Sequence, residues 1–348
     1  MIGKAKSNQT ITVFGAYGHT GRFVVSELCK RGWTPILSGR DSDKLNAFGD
    51  AHPELEVRVA SIDDPASLDR AISGAAAVIN CAGPFALTST PVIEAALRAK
   101  IPYLDITGEV EVAGADVEQY ATCARNAGIV IIPAMAFFGG LGDLLATAAM
   151  GDWSAADEVC VAFALSSSKP TLGTRATIRS STQRRGGGRV VFSNYRMELR
   201  TGSAPILDWS FPAPFGTQTV MEEFTTADIA TISRHLRTPE IRTYITLAPL
   251  KDLDDPDLSP PVAVDESGRS SQIFLVEAIV RLGSAERRAV ASGRDMYAIT
   301  APIVVEAVER ILDGRFFKRS GVAAAGEIFD ARDFLESLSP EHLSVEIQ

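Results

Sequence analysis

The sequence holds only four cysteines, Cys29, Cys81, Cys123 and Cys160, and no two of them form a CxxC pair. That spacing supports neither a disulfide framework nor a zinc site. Its four histidines have no ligand-like spacing, so no metal is expected. No run of about 18 apolar residues offers a membrane span, and the first ten residues, MIGKAKSNQT, lack the apolar core of a secretory signal. Positive charge is also in deficit, with 34 Lys and Arg against 43 Asp and Glu and a net charge of −9. Such a balance gives no general attraction for nucleic acid or an anionic membrane, and an anionic ligand must be held by a local set of donors. The expectation is a cytoplasmic protein with no nucleic-acid or membrane partner. Internal repeats and low-complexity tracts are missing too.

Apolar material is plentiful. Hydrophobic residues make up 46% of the 348, enough for a sizeable core in two domains or one large one. The first 134 residues alternate β-rich runs with helical patterns, as a parallel sheet with crossover helices does. Strands are expected at 11–16, 34–40, 55–61, 76–83, 101–107 and 129–134, most of them continuously apolar, as in a sheet covered on both faces. Helices are expected at 19–31, 42–49, 65–73, 90–100 and 116–127, the fourth starting with a capping Thr90 and Pro91. Beyond residue 134 the rhythm changes to a helix near 141–150 and longer strand-like runs at 157–166, 188–200 and 271–282. An exposed loop is expected at 252–261, a helix capped by Thr300 at 300–314 and another at 329–338. The fold class is therefore α/β: a Rossmann-type doubly wound parallel sheet plus a second α/β domain with a mixed or antiparallel sheet.

The stretch ITVFGAYGHTGRFVV sets Gly15, Gly18 and Gly21 where the first strand passes into the first helix. Small residues there let the backbone turn, approach a pyrophosphate and pack helix on sheet. The helix N-terminus then supplies free N–H groups and partial positive charge. His19 and Arg22, inside this turn, are expected to face the phosphates. The second strand ends Ser38-Gly39-Arg40, where a hydroxyl, a close backbone and a guanidinium suit a ribose 2′-phosphate, so NADP(H) is favoured over NAD. Asp41 and Asp43 follow, and either cap the next helix or put a carboxylate in the pocket.

Strand four ends in NCAGPF, whose Ala82, Gly83 and Pro84 allow a ribose or nicotinamide to lie on backbone; a tight turn alone would also need them. Strand five ends in YLDITGE, bringing Tyr103, Asp105, Thr107 and Glu109 to the same edge. These groups either bind substrate and move a proton or merely cap the following loop. No tyrosine is followed four residues on by lysine, which excludes the proton relay of short-chain dehydrogenases.

The second half is quieter. Arg175 and Arg179 share a helix face and either hold a substrate carboxylate or sit in solvent. RRGGGR (184–189) reads as a mobile turn able to cover an anionic ligand, and FPAPFG (211–216) as a cavity wall or a docked loop.

Taken together, GAYGHTG, SGR, NCAGPF and YLDITGE resemble the NADP-binding domain of the saccharopine dehydrogenase-like family, which includes trans-acting enoyl reductases. GRDMYAITAPIVVEAVERIL and GVAAAGEIFDARDFLESL resemble the end of such proteins. The resemblance implies a Rossmann domain at 1–134, a substrate and dimerisation domain at 135–318, and a C-terminal helical segment, 319–348, returning to the first domain. It also implies NADP(H) held by the turn from Gly15 through Tyr17, Thr20 and Arg22, by Ser38 to Arg40, and by the Asn80–Phe85 loop with Cys81 and Phe85. Asp64 is implied near the adenine. FFGGLGDLL (137–145) replaces the proline-rich pattern of relatives, so the substrate-side wall is expected to differ.

The implied protein is a homodimer with a small-molecule substrate, and the implied activity is hydride transfer between NADP(H) and a C=N or C=C bond of a small metabolite. Asp105 and Glu109 are the candidates for the proton or substrate contact, and Tyr103, Arg175 and Arg179 for substrate binding. Two alternatives stay open: an NADP(H)-binding sensor or accessory protein without turnover, and a flavin enzyme, which Arg40 disfavours.

Overall fold

The computed structural model describes residues 9–255, 257–317 and 320–348. The signal-free reading of MIGKAKSNQT falls almost wholly outside these residues, as does Pro256 of the loop expected at 252–261.

Seven parallel strands form the first sheet. β1 (Thr10–Phe14) is a β-branched, apolar TITVF, buried along most of its length. It leads through α1 (His19–Lys30) to β2 (Thr34–Gly39), α2 (Ser42–Asp50), β3 (Glu56–Val59) and α3 (Pro65–Ile72). β4 (Ala77–Asn80), α4 (Phe85–Ala99), β5 (Tyr103–Asp105), α5 (Ala121–Ala127) and β6 (Val130–Ile132) complete the alternation. These six lie in the order β6-β5-β4-β1-β2-β3, with a short seventh strand from near the chain's end beyond β6, so chain direction across the sheet reverses between β1 and β4. Ligands of open α/β sheets lie in the crevice above such a reversal. Register puts Phe14 beside both Ser38 and Asn80, and Asn80 beside Asp105, which lines four strand ends along one edge.

The second sheet follows α6 (Gly142–Met150). It comprises β7 (Glu158–Leu165), then, after α7 (Leu172–Arg184), β8 (Arg189–Ser193), β9 (Arg196–Arg200), β10 (Ile206–Ser210) and β11 (Thr217–Glu222). Next come α8 (Asp228–Ser233), β12 (Ile241–Thr246), α9 (Leu247–Asp254), β13 (Ile273–Leu282), β14 (Ala285–Arg294) and α10 (Met296–Leu312). β15 (Gly321–Val322), α11 (Ala325–Ile328), α12 (Ala331–Leu338) and β16 (Leu343–Ile347) close the chain's described part. β7 pairs β12 in parallel and β13 antiparallel, so this sheet is mixed.

Several expected boundaries move, each for a reason lying outside the local segment. α4 begins at Phe85 rather than Thr90, because the distant Glu109 carboxylate accepts the Phe85 N–H at 2.7 Å; Pro91 then lies inside the helix. α10 begins at Met296, since Asp295 accepts the N–H groups of Tyr297 and Ala298; Thr300 is an interior residue, not a cap. The run 188–200 is two strands, broken at Asn194 and Tyr195, both at positive φ as a tight hairpin turn requires. FPAPFG is the turn between β10 and β11, with Phe211 buried against Trp209 and Phe215 on the second sheet.

The two sheets share one core. Buried side chains run without a break from Ile11 and Val13 of β1 to Val276 and Ala278 of β13. α10 belongs by chain position to the expected 135–318 domain, yet it packs on α1. Arg31 at the end of α1 bonds Glu27 at 2.6 Å, Glu306 at 2.6 Å and Glu309 at 2.8 Å. Burial alone would depress the guanidinium's pKa, but the three carboxylates outweigh it and raise it. The segment 319–348 is also shared: β15 pairs β6 in the first sheet, whereas β16 pairs β14 in the second.

Candidate functional site

The turn after β1 can be made only by glycine at two of its three positions. Gly15 has φ of +88°, and a Cβ there would meet the Ala82 nitrogen at 2.9 Å. A Cβ on Gly21 would lie 2.2 Å from the Gly15 carbonyl oxygen. The turn is pinned by N–H bonds from Gly15 and Ala16 to the Ser38 carbonyl, at 2.8 and 3.1 Å. α1 then starts at Gly18 with no side-chain cap and no acid in its first turn. Its N–H groups and dipole are left for an anion from outside the chain, as a pyrophosphate site needs.

A cleft of about 980 Å³ opens from this turn and runs under α7 to the second sheet. Gly15, Tyr17, Gly18, His19 and Thr20 line it, as do Gly39 and Arg40 at the end of β2. Every residue from Cys81 to Phe85 lines it too. Asn80 shapes that loop, accepting the Ala82 N–H at 3.0 Å while the Thr88 hydroxyl holds the Ala82 carbonyl at 2.5 Å. Burial pushes the Cys81 thiol well above its ordinary range, so it is an inert wall group.

Four of the expected cofactor residues lie elsewhere. Gly21 packs beneath the turn, and Arg22 donates to the Tyr17 carbonyl at 3.0 Å while its guanidinium covers the Phe48 ring. The Ser38 side chain is fully buried, turned away from the cleft. Asp64 caps α3, accepting the Ala66 N–H at 3.1 Å.

Lys44, not singled out in the sequence, joins Arg40 in the cleft wall. Asp41 between them caps α2 through the Lys44 N–H and pairs with the Lys44 ammonium at 2.8 Å. These contacts hold its carboxyl below the ordinary range. The signal in DSDK was an Asp followed three residues later by a Lys, which reads as an ordinary exposed helix pair.

The carboxylates of YLDITGE separate into two roles. Asp105 is fully buried and outside the cleft; it accepts the N–H groups of Ala134 and Thr107 at 2.9 and 3.0 Å and the Tyr103 hydroxyl at 2.9 Å. Burial drives its pKa up to about 6, against the opposing pull of those donors. Tyr103, expected to touch substrate, is likewise sealed and also accepts from Asn80 at 3.2 Å. Glu109 does line the cleft. One of its oxygens takes the Phe85 N–H; the other is buried near the Ser181 hydroxyl of the same cleft, without a bond of good geometry to it. Burial raises the Glu109 pKa.

Neither arginine expected to hold a substrate carboxylate lines the cleft. Arg175 is spent on the backbone carbonyls of Leu253 and Asp255, at 3.3 and 2.6 Å, and Arg179 is exposed on α7. In RRGGGR all three arginines are paired: Arg184 with Asp116 at 2.8 Å, Arg185 with Glu111 at 3.2 Å and Arg189 with Glu223 at 2.8 Å. The far wall comes instead from Phe137 and Phe138 of FFGGLGDLL, and from Met296, Tyr297 and Thr300 of α10. Thr300 accepts the Phe137 N–H at 3.2 Å. The Tyr297 hydroxyl meets that of Thr174 at 3.1 Å, and its ring lies edge-on to His19 with centroids 5.1 Å apart. Nε2 of His19 is buried without a partner, and burial lowers its pKa, leaving the imidazole neutral near pH 7.

Residues 15–123 match a family described as NAD(P)H-binding. Saccharopine dehydrogenase-like oxidoreductase of Bos taurus is 30% identical over 145 residues, 36% of this chain and 34% of that protein. Trans-acting enoyl reductase of Mycobacterium bovis is 27% identical over 133 residues, again 36% of this chain and 32% of that protein. The matches span about a third of the length of these relatives. Apo saccharopine dehydrogenase (L-Glu forming) of Saccharomyces cerevisiae aligns over 98% of this chain and 100% of its own, with a TM-score of 0.67 at 10% identity. Over about a third of its length the chain is similar to saccharopine dehydrogenase-like oxidoreductases. Its likeness to the yeast protein is one of fold, covering both sheets. Within that shared fold, the uncapped turn and the loop after β4 lie in the residues that match the NAD(P)H-binding family. No helix among the described residues is long and apolar enough to cross a membrane, and no cluster of metal-ligating side chains occurs among them.

Proposed function

We propose that the protein is an NADP(H)-dependent oxidoreductase that transfers a hydride between the nicotinamide and a C=N or C=C bond of a small molecule. The observation that carries this reading is that one cleft joins the uncapped glycine turn, the cations Arg40 and Lys44, and the buried carboxyl of Glu109. NADP(H), when bound, supplies or accepts the hydride. Gly15 to Thr20 hold the pyrophosphate with backbone N–H groups, and Arg40 and Lys44 attract the 2′-phosphate. Gly83 and Pro84 give the nicotinamide half a flat backbone surface. Glu109, whose pKa is raised by burial, would give a proton to substrate or take one from it through the oxygen that faces Ser181.

The test is to titrate the purified protein with NADPH and NADH by nicotinamide fluorescence, then follow NADPH oxidation across a panel of imines and enones. Tighter binding of NADPH with turnover of at least one substrate supports the reading. Tight NADPH binding with no turnover across the panel replaces it by a sensor or accessory role, and preference for NADH overturns the part given to Arg40 and Lys44.

A further inference from the structure

We infer that the half of the cleft beyond the glycine turn takes a neutral, elongated, largely apolar molecule rather than an amino dicarboxylate. The inference rests on the dinucleotide reading for the other half, which assigns Arg40 and Lys44 to the cofactor.

Charge gives the first argument. Beyond the glycine turn, the cations lining the cleft are Arg185 and Arg189, and each is already bonded to a glutamate. Arg189 also donates to the Gly202 carbonyl, and its partner Glu223 takes a second arginine, Arg200, at 2.6 Å. Removing either arginine for a substrate carboxylate would strand a partly buried acid. The acid left over in this half is Glu109, which repels an anion when ionised. A carboxylate entering here would lose its water with no cation in exchange.

Shape gives the second. Phe138 packs edge-on against Phe163 at 4.9 Å and lies 5.6 Å from Phe224, forming with Phe137 a wall of rings at the inner end. Met221 and Ile245 extend that wall along the second sheet. At the mouth, Leu87, Leu172 and Ile178 face the same cleft and are 59%, 81% and 38% exposed. Large aliphatic side chains left in water on both sides of one opening mark a surface that is covered in use. Apolar lining from the inner rings to the rim fits an elongated hydrocarbon. Hydrogen-bonding groups between those ends, Thr174, Thr177 and Ser181, are neutral hydroxyls and can orient one polar group.

The experiment uses the full chain saturated with NADP+ and Nile red as a neutral fluorescent probe of the chamber. Unbranched primary alcohols of increasing length are added as competitors, with glutamate and N-carboxyalkyl glutamates as the charged alternatives. The expected result is saturable probe binding at one site, displaced by the alcohols with about fourfold tighter binding per added methylene. Amino dicarboxylates should not compete. Leu172→Asp and Ile178→Asp, both at partly solvated positions that tolerate charge, should weaken probe and alcohols about tenfold or more. Competition by the amino dicarboxylates, or a flat response to chain length, overturns the inference. Unchanged probe affinity in both variants overturns it as well. NADPH affinity, read separately from nicotinamide fluorescence, tells the two readings apart: absent cofactor binding sinks the proposed function, whereas cofactor binding without apolar displacement sinks only this inference.

Discussion

Asp41 accepts the backbone N–H of Lys44 at 3.1 Å and pairs with its side-chain ammonium at 2.8 Å. The first carboxylate after β2 is thereby occupied as a helix cap, although it lines the cleft as Arg40 does. This end of the cleft therefore holds a paired Asp41–Lys44 and, beside it, the Arg40 guanidinium.

Arg40→Ala and Lys44→Ala should each weaken NADPH binding about tenfold, and NADH by no more than about threefold, since a charge-assisted bond contributes about 1.5–3 kcal/mol before solvent screening. The difference should shrink as salt is added. Fluorescence titration of both cofactors at two ionic strengths checks this; equal losses for the two would show that the end of β2 does not read the phosphate.

Gly21→Ala places a methyl 2.2 Å from a backbone oxygen that cannot move without opening the turn. Overpacking of this kind costs about 1–3 kcal/mol, so the urea midpoint should fall and cofactor affinity with it. At Gly18 the same oxygen would be 3.1 Å away, and Gly18→Ala should be the milder change.

Asp105 and Glu109 should respond in opposite ways. Asp105→Ala strands the N–H groups of Ala134 and Thr107 and the Tyr103 hydroxyl in a sealed interior, at about 1–3 kcal/mol for each group left unpaired. Stability should collapse. Glu109→Gln keeps an acceptor for the Phe85 N–H and should leave the unfolding midpoint nearly unchanged while lowering turnover. If Glu109→Gln unfolds as readily as Asp105→Ala, Glu109 is a structural cap and not a proton carrier.

Asp228 predicts a pH dependence of stability. Its carboxylate accepts the Gly139 N–H at 2.9 Å and the Thr226 hydroxyl at 2.7 Å, its other oxygen has no partner, and burial raises its pKa to about 7. An unfolded aspartate titrates near ~3.9, so between these values the native state holds a proton that the unfolded state has lost. The stabilisation is full below about pH 4 and fades as pH rises through about 7. Asp228→Asn removes the titration; urea unfolding from pH 4 to 8 should show wild type losing more stability than the variant as pH rises.

Much of the first domain was legible because its signals are local. GAYGHTG carries its own reason for glycine at 15 and 21, and NCAGPF bends where its residues permit. Roles decided by distant partners were not. Nothing in YLDITGE says that Ala134 will fill the hydrogen-bonding needs of Asp105 while Glu109 reaches Phe85. Arg175 and Arg179 do share α7, but carbonyls about 80 residues away claim Arg175. The parallel pairing of β7 with β12 joins segments separated by six other elements, which periodicity cannot foresee. Lys44 escaped notice because its best local explanation, a pair with Asp41, is also true.

The backbone passes between the sheets after β6, again after β14 on its way to β15, and a third time between β15 and β16. A single connection would make a hinge, free to swing the halves apart. Three straps, with Arg31 buttoned to α10 beside them, make a frame that resists such a swing. Traffic into the chamber then depends on small local parts at its mouth, Leu87 of α4 and Leu172 and Ile178 of α7, and the rate of entry becomes a property of those few side chains instead of a whole-domain motion.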